Sequence, residues 1–231
     1  MTLEQYLTTM STQQREELMT KLSITQVDLP TVVAAAHRLY WDDLWVAKLA
    51  VIGNHGKKLL VDTAYTGLAL TDAVNALDPS LVIDIGCGQN FYKNKIKNLV
   101  GIDMFGTDCD LLFDYFTSEY DTKADAILVL GSLEYGSPEQ VHEKLLRIKR
   151  NCHEKTQVFF RFNVSSKFMN EIMPGLDICF FLNKLVYTPD QWNHAVEKAG
   201  FQIMFSDWDT PGQRWHIRAG VDHSSLDNNS K

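Results

Sequence analysis

Two glycines, Gly86 and Gly88, close a short β-branched run, and an aspartate, Asp103, ends a second such run 17 positions after the first of them. Glycine lets the main chain approach a ligand closely and adopt torsions that other residues avoid. An ionised carboxylate accepts two charge-assisted hydrogen bonds from a diol. The spacing is near the ~20 residues that separate a glycine turn from a ribose-binding acid in nucleotide-binding βαβ units. Together these residues point to a nucleoside ligand, a solvated strand cap being the plain alternative for Asp103.

Three more carboxylates follow, Asp108, Asp110 and Asp114. Hard divalent cations favour such ligands, but Asp110 opens a short apolar run and no histidine accompanies the group, so no metal centre is expected. None of the seven histidines is spaced as a ligand pair. A general base must sit within hydrogen-bond reach of the proton it takes. Glu134, just past a strongly apolar run, is the candidate, with Tyr135 beside it; it could equally hold the ligand or bond a loop. Arg161 and Asn163 close another apolar run and are candidate substrate contacts. Tyr40 and Trp41, followed by Asp42 and Asp43, could cage a cationic amine, or form an amphipathic helix with one packed and one wet face. Lys93, Lys95 and Lys97 alternate with Asn94, Ile96 and Asn98, which reads as a solvated short helix or edge rather than a phosphate-binding stripe.

A parallel sheet would bring these side chains together. Leu81–Ile85, Leu99–Ile102, Asp110–Phe113, Ala126–Leu130 and Gln157–Phe162 are short and almost continuously apolar, as in strands covered on both faces. Ligands bind beyond the carboxyl ends of such strands, where strand order reverses. Helices are predicted from Ser137-Pro138-Glu139-Gln140 to Arg150 and from Thr188-Pro189-Asp190-Gln191 to Ala199. Each start combines an N-cap hydroxyl, proline in the first turn and a glutamine that closes the capping box, and Gly200 ends the second helix. Only 23 positions separate Asp103 from Ala126, too few for a full helix and a strand with ordinary loops, so the second helix is expected to be lost or reduced. Phe201–Phe205 and Arg214–Val221, joined through Asp209-Thr210-Pro211-Gly212, read as a closing antiparallel pair.

Upstream, residues 1–78 read as helices. Thr2 with Gln5 and Ser11 with Gln14 have capping-box spacing, and Pro30 opens a longer helix running to about Ile52. Gly53-Asn54-His55-Gly56 breaks it before another apolar stretch that ends at Leu77. The division predicted is a helical lid over 1–78, an α/β domain over 79–223 and a disordered tail over 224–231. The lid, with Tyr40, Trp41 and Trp45, and the segment Ser165 to Lys184 would roof the site and set its specificity.

Val82-Ile83-Asp84-Ile85-Gly86-Cys87-Gly88, an acid-bearing strand running into Gly-x-Gly, resembles the first motif of the class I S-adenosylmethionine-dependent methyltransferases. The resemblance continues through Val100-Gly101-Ile102-Asp103-Met104, the run from Ala124 to Tyr135, and Ala199-Gly200-Phe201, about residues 80–221. It implies an α/β, Rossmann-like, mostly parallel seven-stranded sheet with a reduced second helix and a helical N-terminal lid. It also implies S-adenosylmethionine as cofactor. By the resemblance Asp84, Gly86, Cys87 and Gly88 form the cofactor loop, with the two glycines flanking the methionine part. Asp103 would accept from both ribose hydroxyls, and Met104 would pack on the adenine, ordinary core packing being the alternative. Asp114-Tyr115 falls where the family places an acid for the adenine amino group, with Asp108 and Asp110 as rivals. Asn90 replaces the third glycine of the motif, and asparagine tolerates left-handed torsions. The implied function is methyl transfer to a small molecule. The alternatives are a non-catalytic nucleoside- or partner-binding protein on the same fold, and methylation of protein or RNA.

The chain has 231 residues, about 1.5 typical domains, which suits one domain with an extension. Its 29 acidic residues outnumber 22 basic ones, a balance that repels a phosphate backbone on average. A small-molecule partner is therefore expected rather than nucleic acid. Cys87, Cys109, Cys152 and Cys179 form no C-x-x-C pair or disulfide spacing, which fits a reducing, cytoplasmic setting. The opening residues carry no leader pattern and no apolar run reaches membrane length, so neither export nor membrane spanning is expected.

Overall fold

The computed structural model of the protein describes residues 1–40, 70–104, 108–164, 178–210 and 214–221. Helices α1 (Leu3–Thr9), α2 (Thr12–Leu22), α3 (Leu29–Arg38) and α4 (Leu70–Asn75) precede the first strand. Strands β1 (Val82–Ile85), β2 (Leu99–Asp103), β3 (Leu111–Leu112) and β4 (Ala124–Leu130) follow. The chain continues through α5 (Pro138–Arg150), β5 (Cys152–Asn163), α6 (Ile178–Phe181), α7 (Pro189–Lys198), β6 (Phe201–Thr210) and β7 (Arg214–Val221). Trp41, Trp45, the predicted helical run to Ile52 and the break after it, Pro211-Gly212 and the tail 224–231 lie outside the described residues.

The described residues form two compact units. One comprises 1–40, 135–137 and 178–185; the other comprises 70–104, 108–134, 138–164, 186–210 and 214–221. In the helical unit both predicted capping boxes are realised: Thr2 and Gln5 bond reciprocally at the start of α1, as do Ser11 and Gln14 at the start of α2. Asp28 caps α3, its carboxylate accepting the Thr31 N–H at 2.9 Å. Leu3, Leu7, Leu18, Leu22, Val32 and Ala36 then bury with Ile178, Phe181 and Leu182 of the α6 segment. None of the helices among the described residues is long and apolar enough to cross a membrane.

In the other unit the strand order is β3-β2-β1-β4-β5-β7-β6. β1 pairs in parallel with β2 and β4, β4 pairs in parallel with β5, and β7 runs antiparallel between β5 and β6. All four β1 residues are buried, as expected of a central strand covered on both faces. On one face Val82, Ala126, Leu128 and Phe159 pack with Leu70 and Val74 of α4 and with Tyr92 and Ile96. The boundary predicted at residue 78 is therefore corrected: α4 belongs to the sheet unit, where Leu70 and Val74 are buried. On α7 Trp192 is fully buried and stacks on Phe162 of β5, ring centroids 3.9 Å apart.

Several predicted bounds shift. The segment between β1 and β2 consists of turns rather than a helix, with Asn90 and Asn98 at φ 53° and 55° interrupting any helical course. Its lysines are held locally: Lys93 pairs with Asp110 at 2.7 Å and Lys97 with Asp78 at 3.7 Å, while Lys95 donates to the Phe91 carbonyl. The described residues between β2 and β3 form no helix either. β5 begins five residues before the predicted Gln157, since the polar stretch His153–Thr156 masks its start.

Candidate functional site

The strand order reverses between β1 and β4, which places the ligand crevice of such a sheet beyond their carboxyl ends. The loop leaving β1 is pinned on both sides there. The Gly86 and Cys87 N–H groups both donate to the Ile102 carbonyl, at 2.8 and 3.2 Å. The Gly88 N–H donates to Asp103 Oδ2 at 2.9 Å. From the β4 side, Ser132 Oγ donates to the Ile85 carbonyl at 2.5 Å.

The two glycines have different reasons to be glycine. Both hold positive φ, 75° at Gly86 and 56° at Gly88, which L side chains rarely adopt. A Cβ on Gly86 would lie 2.3 Å from Ser132 Cβ, whereas one on Gly88 would meet nothing within 4 Å. Gly86 thus allows close packing of the loop on the residue after β4, and Gly88 leaves its own surroundings open. Gly101, inside β2, is a third requirement: a Cβ there would come within 2.6 Å of Asn90 Oδ1 and 2.8 Å of Cys87 Sγ.

Asp84, on β1, is 2% exposed, and its Oδ2 has no hydrogen-bond partner among the described residues. Burial, with repulsion from Asp103 added, pushes its carboxyl up to about 7. Burial, and then Asp84 and Asp103, also hold the Cys87 thiol above its ordinary range, so it stays protonated. Met104, next to Asp103, is half exposed.

The three further carboxylates separate by role. Asp110 is a brace: it accepts from the Gly101 N–H at 2.8 Å and from Asn90 Nδ2 at 3.2 Å, and pairs with Lys93. Burial would raise its pKa, but these bonds outweigh it and hold the group below the usual carboxylate range. Asn90, at the position of the missing third glycine, also donates to the Asp108 carbonyl. Asp114 caps its own turn, accepting from the Phe116 N–H and the Thr117 hydroxyl, both at 3.0 Å. Among the described residues no group of three or more His, Cys, Asp or Glu side chains could hold a metal ion.

Tyr115, assigned to the cofactor by the resemblance, is engaged within the core. Its ring is buried, its hydroxyl donates to Asn151 Oδ1, and Asn151 immediately precedes β5 and bonds the first residue of β4. Tyr115 therefore ties the segment after β3 to the amino ends of β4 and β5. Glu134 is fully buried, and both of its carboxylate oxygens accept from the Asn163 amide, one of them also from the Asn163 N–H. It ties the chain after β4 to the end of β5. Arg161 is buried and its Nε donates to Asp209, an ion pair that spans from β5 to β6 across β7. Tyr135 and Tyr40 belong to the helical unit, where the Tyr135 ring lies 5.4 Å from that of His37 and beneath Lys184. Trp41 lies outside the described residues.

Ser132 and Gly101 were not singled out as site residues. The isolated glycine inside the Val100-Gly101-Ile102 run was the available signal, since such a glycine often marks close backbone approach. Ser132 has no distinguishing sequence pattern.

The sequence matches no family model and no curated protein. Solved structures do resemble it. An O-methyltransferase of neocarzinostatin biosynthesis, in complex with S-adenosylmethionine and 2-hydroxy-5-methyl naphthoic acid, is 15% identical with a TM-score of 0.56. That match spans 79% of this chain and 61% of the other. The Burkholderia thailandensis 1,6-didemethyltoxoflavin-N1-methyltransferase, with 1,6-didemethyltoxoflavin and S-adenosylhomocysteine bound, is 13% identical with a TM-score of 0.54, over 79% of this chain and 89% of that one. An S-adenosylmethionine-dependent methyltransferase from Clostridium acetobutylicum is 12% identical with a TM-score of 0.55, over 77% and 99%. At these identities the likeness is one of fold, and that fold is the class I methyltransferase type: a mostly parallel seven-stranded sheet closed by an antiparallel pair.

Proposed function

We propose that this protein transfers a methyl group from S-adenosylmethionine to a small-molecule acceptor. The observation that carries the reading is the loop at the point of strand reversal, where Asp103 holds the Gly88 N–H and the space a Gly88 side chain would enter is open. The residues suit such a cofactor. A carboxylate offers about four acceptor sites, enough for Asp103 to hold the Gly88 N–H together with a ribose diol. Met104, half exposed, offers a polarizable thioether to an adenine face. Asp103 places a carboxylate beside the loop and Asp84 a buried acid without a cationic partner among the described residues, an arrangement that suits a positively charged ligand. When bound, the cofactor supplies a methyl group made electrophilic by its sulfonium.

The chain's own contribution is alignment. In-line transfer gains most from holding the acceptor at the right distance and angle, and Glu134, engaged by Asn163, is assigned to positioning rather than to proton removal. Tyr40 and Trp41 are the candidates for acceptor contact, Tyr135 is a catalytic candidate beside Glu134, and Asp114 is the candidate for a contact to the adenine amino group. Two of the similar structures hold 1,6-didemethyltoxoflavin and a naphthoic acid, so small aromatic acceptors are the first class to test. The excess of acidic side chains argues against nucleic acid. Cys87 and Cys152 are buried and form no disulfide, which favours a reducing compartment such as the cytoplasm.

Calorimetry with S-adenosylmethionine, followed by assay of S-adenosylhomocysteine formation on small-molecule, protein and RNA fractions, tests the reading. Binding with turnover on the small-molecule fraction is expected, and absence of binding would remove it. The engagement of Glu134 favours one second reading, a protein that binds the nucleoside without turnover; binding with no product on any fraction would select it.

A further inference from the structure

We propose that cofactor binding at this site is coupled to loss of a proton from Asp84, which is a neutral acid in the free protein and a carboxylate in the complex. The inference rests on the methyl-transfer reading and adds to it how the site manages charge.

Asp84 is buried on the central strand with Oδ2 unpartnered among the described residues. Its surroundings do not compensate a negative charge. On β2, Asp103 repels it. On the loop, the Cys87 thiol is held protonated. On the turn segment, the buried Tyr92 phenol is raised above its ordinary range by burial first and then by Asp84. β4 and β5 contribute Leu128 and Phe159, in register with Asp84 on the same face. The guanidinium of Arg161, which Tyr92 also senses, is paired with Asp209. Among the described residues no cationic side chain offsets Asp84 directly.

An acid buried without a counter-charge takes up a proton rather than remain ionised, and burial together with Asp103 brings Asp84 to about 7. A ligand bearing a sulfonium and an ammonium group supplies the positive charge that the protein does not. Ionisation then becomes favourable as the ligand enters: the Asp84 O–H bond breaks, the electron pair stays on the carboxylate, and the proton passes to solvent. Below the titration range each bound cofactor displaces a proton and affinity rises with pH; above it Asp84 is already ionised and affinity levels off. The ligand's own amino group acts in the opposite sense, taking up a proton above its range near ~8, so the sign of the exchange separates the two sources.

The test is calorimetry of the full chain with S-adenosylmethionine in buffers of unlike ionisation enthalpy, at about pH 6, 7 and 8.5. Release of close to one proton per cofactor is expected at about pH 6, giving way at about 8.5 to no release or to the uptake of the ligand's own amino group, with affinity rising up to about tenfold per pH unit on the acid side. In Asp84→Asn the release at about pH 6 and 7 should vanish and the affinity should become flat below the ligand's own range near ~8. Binding of the wild type without proton release at the acid end overturns the proposal, as does undiminished release in Asp84→Asn. Should that variant not fold, carboxyl-carbon NMR of the wild type decides: one aspartate resonance must titrate near neutrality in the free protein and lose that titration in the complex, and its absence overturns the proposal. Failure to bind at any pH removes the cofactor reading and this inference together, whereas binding without proton release removes this inference alone.

Discussion

At the amino ends of β1, β4 and β5, Asp125 accepts from the Ser80 hydroxyl at 2.5 Å and from the Ser80 and Leu81 N–H groups at 2.7 and 3.1 Å, and lies 3.0 Å from His153 Nε2. At the carboxyl end of β1, Asp84 Oδ2 has no partner among the described residues. Around Asp125 the polar groups are also satisfied. Asn151 donates to the Tyr120 and Thr122 carbonyls and accepts from Tyr115, and Thr156 Oγ1 donates to the Ala124 carbonyl. His153 Nδ1 accepts the Lys155 N–H at 3.1 Å, which leaves the ring proton on Nε2 for Asp125. One end of the sheet is a closed hydrogen-bond network that stabilises the strands; the other, where we propose that the cofactor binds, holds Asp84 with Oδ2 unpartnered among the described residues and Asp103 on the Gly88 N–H. The same residue type has two roles, decided by whether the chain supplies donors.

Gly86→Val should break the contrast most severely. Positive φ costs a non-glycine residue roughly 1–3 kcal/mol, and forcing a side chain onto Ser132, 2.3 Å from the Cβ position, adds roughly 1–3 kcal/mol. Urea unfolding should therefore show a loss of several kcal/mol. Gly88→Ala should cost only the torsional part, roughly 1–2 kcal/mol, while cofactor affinity falls sharply. Equal stability losses in the two variants would show that the glycines do not divide the work in this way.

Asp103→Ala comes next, with cofactor binding weakened by about 1.5–3 kcal/mol through the loss of charge-assisted hydrogen bonds. Its unfolding free energy should change less than its binding free energy, because the carboxylate is partly exposed. Unchanged affinity by calorimetry would detach Asp103 from the site. Tyr115→Phe should show the reverse: stability lower by about 1–2 kcal/mol from an unsatisfied Asn151 Oδ1, with cofactor affinity untouched. A loss of affinity in that variant would undo the separation between the two ends of the sheet.

Much of this was legible from residue types alone. The alternation of apolar runs with Ser-Pro and Thr-Pro starts located the sheet and α5 and α7, because strand burial and helix capping are local requirements. The glycine turn and Asp103 were legible for the same reason: special torsions and an acid at a strand end leave a mark in one dimension. What could not be read depends on the third dimension. Nothing near Tyr115 indicates that its hydroxyl meets Asn151, 36 positions on, and nothing in the Asp110 neighbourhood announces that it braces Gly101 and Asn90. α4 reads as one more helix of the N-terminal segment until Val74 is seen buried against the sheet. Gly86 showed that glycine was needed, but not that Ser132 was the reason.

A pH signature of opposite sign distinguishes the two aspartates. The Ser80 hydroxyl, the Leu81 and Ser80 N–H groups and His153 hold the Asp125 carboxyl down to about 2, below its unfolded value near ~4. Its contribution is therefore fully present above about pH 4 and is lost as pH falls toward 2. Asp84 is raised, to about 7, so its contribution is present below about pH 4 and is lost as pH rises through 7. For the cofactor-free protein, urea midpoints measured across pH should fall on both flanks. Asp125→Asn should flatten the acid flank alone, by at most about 1 kcal/mol since solvent screens this partly exposed group. Asp84→Asn should flatten the neutral flank and make the protein more stable than wild type above pH 7. An acid flank that responds to Asp84→Asn, or a neutral flank that responds to Asp125→Asn, would mean that the two carboxyls are not the opposites their hydrogen bonds make them.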